Sequence, residues 1–133
     1  MTSSEQDGPA GRILVVEDDL VTARFVTQIL GVRGGFDVTH TADPVVALKL
    51  AATQPWDLVL TDVEMPGMTG LELLGALRRV APDLAVIVMT AHASLDYAMG
   101  ALRNSADEFL QKPVKPDHLL TIVTALVGKG HAA

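Results

Sequence analysis

Asp57-Leu58-Val59-Leu60-Thr61-Asp62-Val63-Glu64-Met65-Pro66-Gly67-Met68-Thr69-Gly70 decides how this chain is read. An apolar run delivers one carboxylate, Asp62, to its end, and the turn-forming residues Pro66 and Gly67 follow at once. A run of about four apolar residues bounded by turn signals predicts a buried strand. In a parallel sheet, chemistry collects beyond the carboxyl ends of the strands. Asp62 is therefore a candidate reactive group, with a solvated loop aspartate as the competing reading. Residues elsewhere have to separate the two.

Upstream, Arg12-Ile13-Leu14-Val15-Val16 is a continuous apolar run, the pattern of a strand covered on both faces, and it ends in Glu17-Asp18-Asp19. Residues 20–33 show helical spacing, with Leu20, Ala23, Val26, Ile29 and Leu30 on one face. The acids before them, Asp19 included, suit a helix start, and Gly34-Gly35 stop it. Phe36 to Thr41 predict a second strand, and Asp43 with Pro44 opens a short helix running to about Ala52. The quoted stretch supplies the third strand (57–61) and a loop at 62–69. Beyond it, Leu71, Leu74, Leu77 and Val80 mark a third helix that closes before Pro82. Leu84 to Met89 form a fourth strand ending at Thr90-Ala91. Ser94 or Asp96 starts a fourth helix carrying Leu95, Ala98, Met99 and Leu102. Gly100 within it costs about 1 kcal/mol relative to alanine. Ala106 to Gln111 give a fifth strand, then Lys112-Pro113, then a final helix from near Pro116-Asp117 to Val127 with Leu119, Leu120, Val123 and Leu126 inward. Residues 1–11 read as a polar tail and 128–133 as a frayed one, leaving one domain over 12–127. Five strands alternating with five helices predict an α/β fold: a five-stranded parallel sheet with helices on both faces, a three-layer sandwich. Periodicity leaves two common windings of that sheet open.

A chain of 133 residues suits one domain with a single two-sided core. Apolar residues at 49% against charged residues at 20% describe a globular protein, and with only 4% aromatic the core must be built from Val, Leu, Ile, Ala and Met. The net charge of −6 argues against direct nucleic-acid binding, which needs a basic footprint. No apolar run approaches the roughly 18 residues of a membrane span, and residues 1–11 lack the apolar segment of a signal peptide. A cytoplasmic protein is the default expectation. The absence of cysteine excludes disulfides, thiolate metal sites and cysteine nucleophiles.

The placement of polar residues is more informative. Glu17 and Asp18 follow the first strand, Asp62 ends the third, Thr90 the fourth and Lys112 the fifth. In a parallel sheet all these ends lie on one edge, so side chains far apart in sequence converge. Only the second strand lacks such a group, which suits an edge position. Three carboxylates within about 5 Å repel by roughly 3 kcal/mol per pair at an effective dielectric near 20, so they need raised pKa values or a divalent cation. Oxygen ligands without His or Cys suit Mg²⁺, or Mn²⁺, better than zinc. Glu17, Asp18 and Asp62 would be the protein ligands, with Lys112 a movable positive charge and Thr90 a hydroxyl donor. Cation, ammonium and hydroxyl together would hold the oxygens of a phosphoryl group. Asp62, the carboxylate centred among them, is the expected nucleophile forming an acyl phosphate.

These residues resemble a known family. Ile13 to Asp19, Asp57 to Gly70 with its D-x-x-M-P-x-x-x-G core, Val88-Met89-Thr90-Ala91 and Asp107 to Pro113 are similar to the receiver domain of two-component response regulators, over about Arg12 to Val127. The resemblance implies a flavodoxin-like (βα)5 fold with strand order 2-1-3-4-5. It implies Asp62 as phosphoacceptor, Glu17 and Asp18 as the acidic pair holding Mg²⁺, and the backbone carbonyl of Glu64 as a further ligand. Thr90 and Lys112 would contact the phosphoryl group, the Lys112-Pro113 bond would be cis, and Phe109 would be the aromatic switch residue. In the family, movement of Thr90 and inward rotation of the aromatic ring repack the face made by the fourth helix, fifth strand and fifth helix (α4-β5-α5). The implied partners are a sensor histidine kinase or phosphotransfer protein, then a downstream protein target or fused output domain. An exposed surface that includes Tyr97, Met99, Arg103, Val114 and Lys115 is a candidate to serve either a partner or a homodimer through the same face. Such a domain assists its own phosphorylation and dephosphorylation without being an enzyme in the ordinary sense.

The chain departs from the family pattern in places. Glu17 is one methylene longer than the Asp often found there, Phe109 lacks the hydroxyl of a Tyr, and Asn104-Ser105 replace a glycine before the fifth strand, where Asn104 can take the left-handed conformation. Two other classes compete with this reading. A haloacid-dehalogenase-type aspartyl phosphatase would want an Asp where Glu64 stands and a Thr or Val where Pro66 stands, and would leave Glu17-Asp18 unexplained. A phosphorylation-independent receiver scaffold would usually have lost Asp62 or Lys112. No basic helix-turn-helix, kinase or cyclase pattern follows Val127. Glu64 and His92 lie two residues beyond Asp62 and Thr90, beside the path of a hydrolytic water. Glu64→Ala and His92→Ala are expected to change the rate of dephosphorylation more than that of phosphorylation; following decay of the phosphorylated protein checks this, and unchanged decay in both variants removes the idea.

Overall fold

The apolar run near the start of the chain is a strand because both of its faces are covered by different helices. In the computed structural model the described residues are 10–63, 70–91 and 106–132. Ile13 and Val15 pack with Val26, Leu30, Leu119 and Val123 in one core, while Leu14 and Val16 pack with Ala47, Leu73, Leu74 and Leu77 in a second. Burying each such leucine contributes on the order of 2 kcal/mol relative to leaving it exposed. The strands are β1 (Arg12–Val16), β2 (Asp37–Thr41), β3 (Leu58–Asp62), β4 (Ala85–Thr90) and β5 (Glu108–Gln111). All pairings are parallel, in the order β2-β1-β3-β4-β5. Helix α1 (Leu20–Gln28) and a C-terminal helix (Pro116–Ala132) cover one face; α2 (Pro44–Thr53) and α3 (Gly70–Val80) cover the other. The order left open by periodicity is thereby settled, and β2 takes the edge position that its lack of a strand-end acid suggested.

Both predicted helix starts are capped by aspartate. Asp19 accepts from the Thr22 hydroxyl at 2.6 Å and its N–H at 3.4 Å. Asp43 accepts from the Val45 N–H at 2.9 Å, with Pro44 in the first turn. Just before β3, the Asp57 carboxylate accepts the Arg12 N–H at 2.7 Å, which ties the starts of β1 and β3 together.

Three expectations need correction. Leu20 was placed on the inward face of the first helix but is 60% exposed. At about 3.6 residues per turn, the stripe centred on Val26 and Leu30 leaves the first residue at its margin. Val114 was placed on an exposed surface but is buried in the core beside Leu110 and Leu119. The segment from Gly128 was read as a frayed tail, yet the C-terminal helix continues to Ala132. Glycine is a poor helix former, but each residue added to an existing helix gains a hydrogen bond without a new nucleation cost. The expected fourth helix with its turn at Asn104-Ser105, and the loop at 64–69, lie outside the described residues.

The end of the first helix widens where α-helix was expected throughout. Ile29–Arg33 form a π-type turn, with the Gly34 N–H reaching the Ile29 carbonyl at 3.1 Å and the Phe36 N–H reaching Leu30 at 3.1 Å. This lets Phe36 fold back into the core against Ile29 and Leu30. Gly35, at φ 74°, then reverses the chain into β2. A methyl on Gly34 would sit 2.7 Å from the Leu30 carbonyl oxygen and 2.8 Å from the Phe36 ring, whereas one on Gly31 would meet nothing nearer than 3.9 Å. Gly34→Ala is expected to destabilise the fold by about 1–3 kcal/mol, and Gly31→Ala to be neutral or stabilising; urea unfolding of the pair checks both.

Candidate functional site

Register decides which strand ends meet. Val16 pairs with Thr61, Asp62 with Met89 and Thr90 with Gln111, so the residues at and just beyond these positions form one row along the carboxyl edge. The ladders extend past the strands: the Val63 N–H reaches Met89 at 2.9 Å, and the Lys112 N–H reaches the Thr90 carbonyl at 2.7 Å. Glu17, Asp62, Thr90 and Lys112 thus stand on four rigid supports, as expected from the sequence, and the Lys112-Pro113 bond is cis.

The three predicted acids come together. Glu17, Asp18 and Asp62 each offer a carboxylate oxygen, and these oxygens lie within 4.8 Å of one another. Glu17 and Asp62 are buried and Asp18 is exposed, so the cluster is open on one side. Lys112 answers the charge: its ammonium donates to Glu17 Oε1 at 2.7 Å and lies 3.2 Å from Asp62 Oδ2. The other Glu17 oxygen accepts the Asp19 N–H at 3.1 Å. Among the described residues no buried side-chain nitrogen or oxygen lacks a hydrogen-bond partner.

The electrostatics follow from this geometry. Burial pushes the Glu17 pKa up; the hydrogen bonds from Lys112 and the Asp19 backbone offset only part of that, and the Asp62 charge adds to the rise. Burial by itself would lower the Lys112 pKa, but the Glu17 hydrogen bond and the charges of Asp62 and Glu17 outweigh it and hold the ammonium above its ordinary range. Lysine is thus firmly charged at neutral pH, while the buried glutamate protonates more readily than a free one. Asp19, bonded to the Thr22 hydroxyl, is pulled below the ordinary carboxylate range, as befits a cap.

Thr90 is buried at the end of β4, and Phe109 lies half-buried on β5 against the second core. Glu64 and His92 fall outside the described residues. One residue escaped the sequence reading, which assigned β2 no functional group: the His40 Nε2 lies 2.8 Å from the backbone carbonyl of Glu17. A single histidine one residue before a strand end carries no pattern, so only the pairing of β1 with β2 reveals it.

The donor set is made of three carboxylates, all oxygen, and is partly open to solvent, which fits Mg²⁺ or a similar hard cation. A family model, the response regulator receiver domain, matches residues 13–124. The chain belongs to that family. A receiver domain is a module of two-component signalling, not an enzyme of the ordinary kind, and this membership displaces the haloacid-dehalogenase alternative. The receiver domain is 37% identical over 114 residues to the response regulator protein FleR of Pseudomonas aeruginosa, covering 86% of this chain and 24% of that protein. It is 31% identical to the probable transcriptional regulatory protein SilR of Salmonella typhimurium, covering 90% of this chain and 52% of that protein. The chain therefore spans about a quarter to a half of these relatives. Among solved structures, a CheY-like receiver domain from Methanospirillum hungatei aligns with a TM-score of 0.83 at 30% identity, covering 91% of this chain and 96% of that one. The receiver domain of the sensor histidine kinase PA1611 of Pseudomonas aeruginosa, solved with a magnesium ion in its active-site cleft, aligns with a TM-score of 0.81 at 28% identity, covering 89% and 98%. Among the described residues no helix is long and apolar enough to cross a membrane.

Removing one partner of a buried ion pair leaves the other uncompensated, at a cost of about 3–5 kcal/mol. Lys112→Met is accordingly expected to destabilise the metal-free receiver domain by about 3 kcal/mol at neutral pH. The loss should shrink on acidification, because Glu17, already raised and now without its ammonium, takes up a proton. Urea unfolding at several pH values checks the sign.

Proposed function

We propose that this receiver domain accepts a phosphoryl group on Asp62 from a histidine kinase or phosphotransfer protein, in a reaction that needs Mg²⁺. The observation that carries the reading is Asp62 itself: 7% exposed at the end of β3, 3.2 Å from the Lys112 ammonium and in one cluster with Glu17 and Asp18. An Asp62 oxygen attacks phosphorus, the bond from phosphorus to the donor's imidazole breaks, and the imidazole nitrogen keeps the electron pair. Glu17, Asp18, Asp62 and the Glu64 backbone carbonyl would hold the cation, which when bound supplies positive charge to the oxygens of the group being transferred. Lys112 would supply a second positive charge, since its place against Asp62 puts it within reach of a group joined to that carboxylate. Thr90, next to Lys112 through the ladder bond at 2.7 Å, would offer its hydroxyl to the same group.

The switch follows from what those contacts pull on. Drawing Thr90 toward a phosphoryl group would open room at the end of β4, and Phe109, half-buried on the neighbouring strand, would fill it. A few charge-assisted contacts suffice to bias such a two-state element. Glu64 and His92 would set the lifetime of the phosphorylated state. The relatives include DNA-binding transcriptional regulators named NtrC; output here would run through a linked or separate partner that reads the face around β5, with a homodimer as one form. The test is exposure to a small phosphodonor with Mg²⁺. Acid-stable, base-labile incorporation is expected in the wild type and is expected to be lost in Asp62→Asn and when Mg²⁺ is chelated. Equal incorporation in Asp62→Asn would exclude Asp62 as the acceptor.

A further inference from the structure

Four contacts fix Glu17. Three are described above: its carboxylate oxygens take the Lys112 ammonium at 2.7 Å and the Asp19 N–H at 3.1 Å, and its carbonyl lies 2.8 Å from His40 Nε2. The fourth is its own N–H, which donates to the Thr41 carbonyl of β2 at 3.1 Å. In a parallel ladder the residue that donates to Thr41 would accept in turn from the residue two further on, Asp43. That bond is not made. β2 ends at Thr41, and the Asp43 N–H turns to the Thr41 hydroxyl at 3.1 Å as Asp43 begins α2. The Glu17 carbonyl is thus left at the point where the ladder stops, and the His40 ring takes the place of the missing donor. A carbonyl only accepts, so Nε2 carries the proton.

The bonded carbonyl has a particular importance, since it belongs to the peptide plane between Glu17 and Asp18. A planar peptide held at its oxygen is held as a whole, so the direction in which Asp18 leaves β1 is set by the same contact. Asp18 is exposed and is the member of the cluster with least packing to hold it. We propose that His40 is a positioning residue for the acidic pair: by bonding the Glu17 carbonyl it orients the Glu17–Asp18 peptide and so tunes cation binding. This inference rests on the reading of the cluster as the Mg²⁺ site of a phosphoacceptor. It adds to that reading a contribution from β2, the strand to which no functional group had been assigned.

Isothermal calorimetry of Mg²⁺ binding to the whole chain tests it, with circular dichroism confirming the fold. His40→Phe keeps a ring and removes the donor; Mg²⁺ affinity is expected to fall about tenfold, the usual scale for losing a group that orients metal ligands. His40→Gln, whose amide nitrogen stands close to where Nε2 does, is expected to restore affinity to within about twofold. A purely structural histidine would lower the thermal midpoint and leave the affinity of the folded protein alone, with no rescue by Gln. Folded His40→Phe with wild-type affinity overturns the proposal while leaving phosphorylation of Asp62 intact. If His40→Phe does not fold, His40→Asn, whose amide is too short to reach the carbonyl, is judged by the same criterion. A wild type that neither binds Mg²⁺ nor incorporates phosphate on Asp62 removes the reading of the site and this proposal with it.

Discussion

Three carboxylates whose oxygens share 4.8 Å meet at one sheet edge, where the ammonium of Lys112 lies against two of them, Glu17 and Asp62, and the rest of the site is arranged around that balance. At an effective dielectric near 20, each like-charge pair at such a separation costs about 3 kcal/mol. A single lysine does not cancel three acids. The residual negative charge fits a divalent cation, and Lys112 sets its counter-charge beside Asp62.

A site under that tension needs rigid supports, and the two-core sheet supplies them. β1, β3 and β4 are buried on both faces, so their ends cannot drift apart without exposing leucines and valines worth on the order of 2 kcal/mol each. The two edge strands contribute differently. β5 is half-buried and leads into Lys112, the one cation of the site among the described residues. β2 is the more exposed edge, and it touches the backbone of Glu17, by the Thr41 carbonyl and the His40 ring, rather than its carboxylate. Groups expected to move thus sit toward one edge and the fixed acids toward the centre.

The extra methylene of Glu17 has a visible use. The longer side chain reaches Lys112 with one oxygen and turns back to the Asp19 N–H with the other, which links the acidic cluster to the cap of α1. Asp19 in turn holds Thr22, so Lys112, Glu17, Asp19 and the helix start form one connected set of hydrogen bonds. Helix α1 carries Leu20, Val21 and Phe25 exposed beyond that cap.

Much of this was legible in the sequence. Alternation between apolar runs and helical stripes located all five strands to within two residues at either end, and the Asp-Pro pair at 43–44 marked a helix start to the residue. Such features depend on local chemistry: period, propensity, and whether a side chain reaches its own backbone. The acids at strand ends also followed once the strands were read as parallel, because parallel strands must place like ends together. What the sequence could not decide was long-range. The strand order, the nearer approach of Lys112 to Glu17 than to Asp62 across 95 residues, the burial of Val114 and the bond from His40 to Glu17 depend on which elements pack side by side. The sequence by itself determined which chemical groups reach the edge of the sheet; the tertiary structure decided which of them touch, because contact depends on register and packing between strands that carry no local sign of their neighbours.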